Sequence, residues 1–176
     1  MPLELDNPFW RFSLEIYASP GVAPECLTLQ DQAGIDVNVW LFAVWLGLQG
    51  KAIEPDDLTR IVEVTAPWTR DVVKPLRQVR RHLKPLSGND AAIQDLRKRV
   101  AGAELFAEQV EQARLYAIAG ILGVSTAAAS GVDAAQANAA MILAASGSGN
   151  APFPLKGFWA ACTAHVTAKE ENSIPD

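Results

Sequence analysis

From Ile35 to Leu48 the chain reads Ile-Asp-Val-Asn-Val-Trp-Leu-Phe-Ala-Val-Trp-Leu-Gly-Leu, and after Asn38 no polar side chain returns until Gln49. A helix with no wet face must be enclosed by other helices or by lipid. This uncharged run is too short to span a bilayer and predicts a buried core helix over about residues 36–48. Asp36 stands where it can cap the N-terminus, and Gly47 and Gly50 where they can end the helix.

The pattern elsewhere is amphipathic. Asp6-Asn7-Pro8 starts a helix on which Phe9, Trp10, Ser13, Leu14, Ile16 and Tyr17 recur at helical spacing, and Ser19-Pro20-Gly21 closes it. Pro24 to Gln32 predicts a short second helix. Beyond the core helix, Glu54 to Asp57 set acids over an N-terminus, and that helix runs to about Val64. Thr65-Ala66-Pro67 starts another, with Pro75 forcing a kink or break near Lys74 because it clashes with the carbonyl of Asp71. Pro85 to Asn89 reads as a loop. From Asp90, the apolar series Ile93, Leu96, Val100, Ala103, Phe106, Val110, Ala113, Ala117 and Ile121 predicts one buried face of a helix about eight turns long. Residues 117–149 are rich in Ala, Gly and Ser and predict two short helices, the second capped by Asp133. After a link at Ser146 to Asn150, Pro154 opens a last helix. No alternating strand pattern is present. The fold class expected is all-α, a compact bundle of six to eight helices around the central one. Residues 1–116 form the helical core, and the Ala-rich helices of 117–176 pack on the same domain.

Composition bounds the function. With 176 residues, 49% hydrophobic and 20% charged, the chain can bury a real core and lies outside the disordered class. Cys26 and Cys162 lie far apart and no secretory signal precedes the first helix, so a cytoplasmic protein with reduced thiols is expected. The uncharged stretch Leu115 to Val132 raises a membrane question, but Ala, Gly and Ser carry little transfer energy, and no span is expected. The net charge of −5 argues against a general nucleic-acid binder. Its distribution says more. Residues 60–100 hold ten Lys and Arg against four acids, and both flanks are acidic.

Three phrases together carry a resemblance. They are Phe9-Trp10-Arg11-Phe12-Ser13-Leu14-Glu15-Ile16-Tyr17-Ala18-Ser19-Pro20-Gly21-Val22, then Leu29-Gln30-Asp31 through Gly34-Ile35-Asp36-Val37-Asn38-Val39, then Trp68-Thr69-Arg70-Asp71-Val72-Val73-Lys74-Pro75-Leu76-Arg77 with Arg80, Arg81 and Lys84. Over about residues 7–116 the chain resembles a proteobacterial family of small helical proteins of unknown function (DUF2390). The resemblance implies a cytoplasmic helical protein and carries no activity, cofactor or site residue.

The sharpest chemical feature is a basic stripe. Arg70, Lys74, Arg77, Arg81 and Lys84 step by four, three, four and three, so a continuous helix places them along one side. They either dock an acidic partner or pair internally with Glu104, Glu108 and Glu111, which step by four and three on the long helix. No metal or other cofactor is expected: neither His82 nor His165 has the Glu three positions earlier that a di-iron bundle uses, and Cys162 with His165 is two ligands only. Asp31 and Asp36 fall on different elements, unlike the paired clusters that hold Mg²⁺. Asp36 and Asn38, the polar groups at the head of the core helix, mark the possible mouth of a pocket with Trp40, Trp45 or Trp68.

Three functions follow in order. The first is protein–protein contact, as an adaptor or by self-association, with the basic face meeting an acidic partner and five tryptophans available as anchors. The second is binding, or conversion, of an apolar small molecule in a Trp-lined pocket of at least ~300 Å³ beside the core helix. The third is nucleic-acid binding, for which no aromatic residues interleave the basic ones.

Overall fold

The computed structural model describes residues 2–126, 131–147 and 153–171. In chain order the elements are α1 (Pro8–Ala18), α2 (Val22–Ala33), α3 (Val37–Leu48), β1 (Lys51–Ala52), α4 (Pro55–Trp68), a π-helical turn (Thr69–Val73), α5 (Lys74–Ser87), α6 (Ala91–Ile118), β2 (Ser125–Thr126), α7 (Val132–Ala145) and α8 (Lys156–Glu171). The protein is an all-α bundle. Among the described residues no helix is long and apolar enough to cross a membrane.

The apolar run becomes α3, and every residue from Val39 to Gly47 is buried. Asp36 Oδ1 accepts from the backbone N–H groups of Asn38 at 3.0 Å and Val39 at 3.4 Å, capping the helix as its position requires. Trp40 lies 4.4 Å, centroid to centroid, from Phe158 of α8, and Trp45 packs on Phe9, Phe42 and Tyr116. Gly47 does not end the helix. It sits inside α3, where a Cβ would fall 2.4 Å from the Ala135 backbone of α7. The small residues of α7 therefore serve a close helix crossing. Asn138 of α7, itself buried, donates to the carbonyls of Ala43 (3.0 Å) and Lys51 (2.8 Å) and accepts from Ile53 N–H (3.1 Å), locking the turn after α3. Glu25 of α2 accepts from the N–H groups of Gly157 and Phe158, tying α8 onto the bundle.

Several expectations are corrected. Pro67 does not separate two helices: α4 continues through it, on an exposed side where the Glu63 carbonyl can turn to solvent. The distortion expected near Lys74 is real and takes the form of the π turn. Its wider winding, closed by Lys74 N–H onto the Thr69 carbonyl, accommodates Pro75 without breaking the helical path. Pro85 lies inside α5, which runs to Ser87, rather than opening a loop. Residues 119–126 hold turns and the short β2 in place of a helix; β2 pairs antiparallel with β1, two residues each, too short to leave an alternating pattern. Residues 127–130 and 148–150, which complete the expected helix and link, lie outside the described residues. Gly131, not Asp133, holds the N-cap position of α7, and α8 starts at Lys156.

The largest correction concerns α6. Leu96 and Phe106 are about half exposed and Ile121 lies beyond the helix, whereas the buried set includes Glu104, Ala107, Glu111, Gln112, Ala113 and Leu115. The apolar series alone misjudges this face: of its members Ala113 is buried and Ile93, Val100 and Val110 are half-buried, while the buried acids are matched by polar partners from other helices.

Candidate functional site

A cleft of about 670 Å³ opens over the head of α3. Its walls come from α1 (Trp10, Leu14, Tyr17), from α4 and the π turn (Leu58, Val62, Ala66, Thr69, Val73) and from α5 (Lys74, Arg77, Gln78, Arg81). Leu105, Glu108, Glu111 and Gln112 of α6 and Ile142 and Ala145 of α7 complete it. Gly34, at φ 64°, ends α2 in the left-handed region and turns the chain so that Asp36 and Asn38 enter the cleft.

The floor is a polar cluster set into this apolar surround. Asn38 Nδ2 donates to Glu111 Oε2 at 2.7 Å, and Gln112 Nε2 donates to Asn38 Oδ1 at 2.9 Å. Thr69 Oγ1 lies 2.9 Å from Asp36 Oδ2 and 3.1 Å from the Thr65 carbonyl, and makes a short contact with Glu111 Oε1. The hydroxyl has one hydrogen for these three oxygens, so the Asp36–Glu111 pair needs a proton of its own. Burial, and then the neighbouring Asp36 charge, push the Glu111 carboxyl up to about 8, against the hydrogen bonds from Thr69 and Asn38. Glu111 thus holds that proton at neutral pH. The π turn is what carries Thr69 to this point, and such turns recur at functional sites.

The basic stripe is divided. Arg77 reaches Glu104 at 3.0 Å and Glu108 at 2.6 Å, and Arg80, outside the expected stripe, also grips Glu104. Burial pushes the Glu104 carboxyl up, but the hydrogen bonds and charges of Arg80 and Arg77 outweigh it and hold the group below its ordinary value. Glu108 is shifted upward by burial despite Arg77. Arg81 pairs with Asp31 at 2.8 Å. Arg70 pairs with its neighbour Asp71, out at the surface, because the π turn adds a residue to the winding and changes its phase relative to α5. Lys74, at the cleft rim, and Lys84 make no ion pair among the described residues. The internal pairing with Glu104 and Glu108 is therefore present for Arg77, while Glu111 faces Asp36 and Thr69 instead.

Of the expected pocket residues, Asp36 and Asn38 line the cleft. Trp40 and Trp45 belong to the apolar core, and Trp68 turns away: its Nε1 donates to the Ala107 carbonyl at 2.9 Å and its ring carries the Arg114 guanidinium at 4.6 Å. The tryptophan on the cleft is Trp10. Thr69, Glu111 and Gln112 were missed as a site because only helix crossing joins them, and in the sequence Glu111 reads as one more acid of the stripe with Glu104 and Glu108. Among the described residues no group of three or more His, Cys, Asp or Glu is arranged to hold a metal ion.

A family model described as a protein of unknown function (DUF2390) matches residues 8–115, a range that contains every polar residue of the cleft floor. No curated protein and no solved structure matches the chain.

Proposed function

The chain belongs to the DUF2390 family, and on that premise we propose that it binds a small, largely apolar molecule in the cleft over the head of α3. The observation that carries this reading is the combination of a cleft of about 670 Å³ with convergent polar groups on its floor. Ligand sites are concave, mostly apolar and fitted with a few orienting polar groups, commonly within ~300–1,000 Å³. A buried carboxyl with an upward-shifted pKa in such a cleft supports the same reading.

The test is a fragment screen by NMR on the full chain, with Ala66→Trp as the blocked variant. Ala66 is exposed on the cleft wall, so the indole fills space without displacing core side chains. Hits that shift the amides of Asn38, Val39 and Thr69, and that vanish with Ala66→Trp, support the reading. Hits confined to other surfaces, or indifferent to the variant, overturn it.

A second reading is contact with an acidic protein partner or a second copy through α5 and the first half of α6. None of the α5 side chains is fully buried, and Val79, Leu86 and Leu96 stay about half exposed among Lys84, Arg97, Lys98 and Arg99. Leu86→Glu with Val79→Glu tests it by sedimentation and pull-down: an unchanged mass and unchanged partners would end this version. Nucleic acid on the same cations would show as binding that weakens steeply with salt.

A further inference from the structure

The cleft floor is short of hydrogens. Gln112 is only 3% exposed and lines the cleft, yet its Oε1 has no donor among the described residues. Beside it, the Thr69 hydrogen and the one proton of the Asp36–Glu111 pair are shared among Asp36 Oδ2, Glu111 Oε1 and the Thr65 carbonyl, and no cation balances the negative charge that the pair keeps. The Asp36 and Glu111 carboxyl groups accept from Asn38 Nδ2 and from the Asn38 and Val39 backbone, and Glu111 is 0% exposed. Oxygens that approach this closely in a dry place call for hydrogens and positive charge.

The cations of the cleft do not meet that need. Arg77 is committed to Glu104 and Glu108, and Arg81 to Asp31. Lys74 stays exposed at the rim. The rest of the lining is mixed, with Leu14, Val39, Val62 and Leu105 giving apolar surface and Ser13, Gln30 and Gln78 neutral polar groups.

We propose that the floor is an ammonium subsite: the ligand is an amine with an apolar body, its nitrogen seated against Asp36, Glu111 and Gln112. The inference rests on the cleft being a ligand site and names the class of ligand. An ammonium brings three N–H donors and one positive charge, which an alcohol or a carboxylate cannot both supply. A carboxylate would meet like charge and add acceptors where acceptors are already in excess. The hydrocarbon of the same molecule covers the apolar walls, leaving the polar end to set orientation.

Three probes of equal chain length separate the possibilities: n-octylammonium chloride, n-octanol and sodium octanoate, each titrated at neutral pH into the full chain and followed by amide shifts. The expected result is saturable octylammonium binding centred on Asn38, Thr69 and Gln112, about tenfold or more tighter than octanol, which corresponds to one added charge-assisted interaction. Octanoate should not shift these amides. Asp36→Asn, which keeps the capping oxygen but removes the charge of the pair, should erase the preference for octylammonium over octanol, and Gln112→Met should reduce it.

Octanol or octanoate binding at these amides as tightly as octylammonium overturns the ammonium assignment while leaving the cleft a ligand site. No shift from octylammonium at these amides also overturns it, and the fragment screen then decides the cleft separately. A folded Asp36→Asn chain that keeps the full preference overturns the assignment to this floor. Should that variant not fold, the three probes on the unaltered chain decide.

Discussion

Asn38 and Glu111 lie 73 positions apart and meet at 2.7 Å, the amide of one donating to the buried carboxyl of the other. This bond fastens the head of the central helix to the long helix α6. It does so beside a second carboxyl, that of Asp36, so the floor carries more acid than its surroundings neutralise. The consequences are measurable.

Glu111 predicts a pH slope of unusual sign for an acid. Its folded-state value lies above its ordinary 4.5, at about 8, raised by burial and then by the Asp36 charge on the head of α3. Between those two values the folded chain keeps a proton that the unfolded chain has lost. Stability contributed by this group is therefore full at low pH and falls as pH rises through the window, by at most ~1.4 kcal/mol per pH unit. Urea midpoints from pH 5 to 9 should show the decline, and Glu111→Gln should flatten it. An equal slope in both proteins would refute the assignment.

Gly47→Ala should be costly for a substitution so small. The new Cβ would fall 2.4 Å from the Ala135 backbone, which cannot yield as a flexible side chain does. The expected loss is about 3 kcal/mol, from the forced separation of α3 and α7. Ala substitution at Gly102, where nothing lies within 4 Å, should instead be neutral or mildly stabilising by chemical denaturation.

Asn138→Ala should strip the Ala43 and Lys51 carbonyls and the Ile53 N–H of their partner at one stroke. Leaving buried backbone groups unpaired costs about 3 kcal/mol. Hydrogen exchange should quicken first at Ile53 and its neighbours.

Removing both arginines that hold Glu104, as Arg77→Leu with Arg80→Leu, should cost more than the two single changes together. Each single variant leaves Glu104 one cation; the double leaves a buried acid with none. The arginines are partly exposed, so about 2 kcal/mol is expected rather than the full buried-pair loss. Because Glu104 is held below its ordinary 4.5, its stabilisation is present at neutral pH and is lost as the medium is acidified through the depressed value. The gap between the double variant and the unaltered chain should close over that acid range.

What the chain order makes readable is what repeats over a few residues. The absence of any polar side chain from Val39 to Leu48 dictates that α3 be covered, since a helix apolar all round cannot face water. Asn7, Asp36 and Asp90 cap helices by bonds to N–H groups two or three positions on, so their roles were visible locally. Pro75 announced a distortion for the same reason, though not its π form. The cleft floor lay beyond that reach. Glu111 looked like one of three evenly stepped acids awaiting arginines, and only the crossing of α6 with the head of α3 and the π turn sent it to Asn38, Asp36 and Thr69 while Glu104 and Glu108 went to Arg77. Periodicity says which residues share a face; it does not say what that face meets. The partners of Glu25, Glu111 and Asn138 sit 42 to 133 positions away, and helix packing, governed by close approaches such as Gly47 against Ala135, decided them.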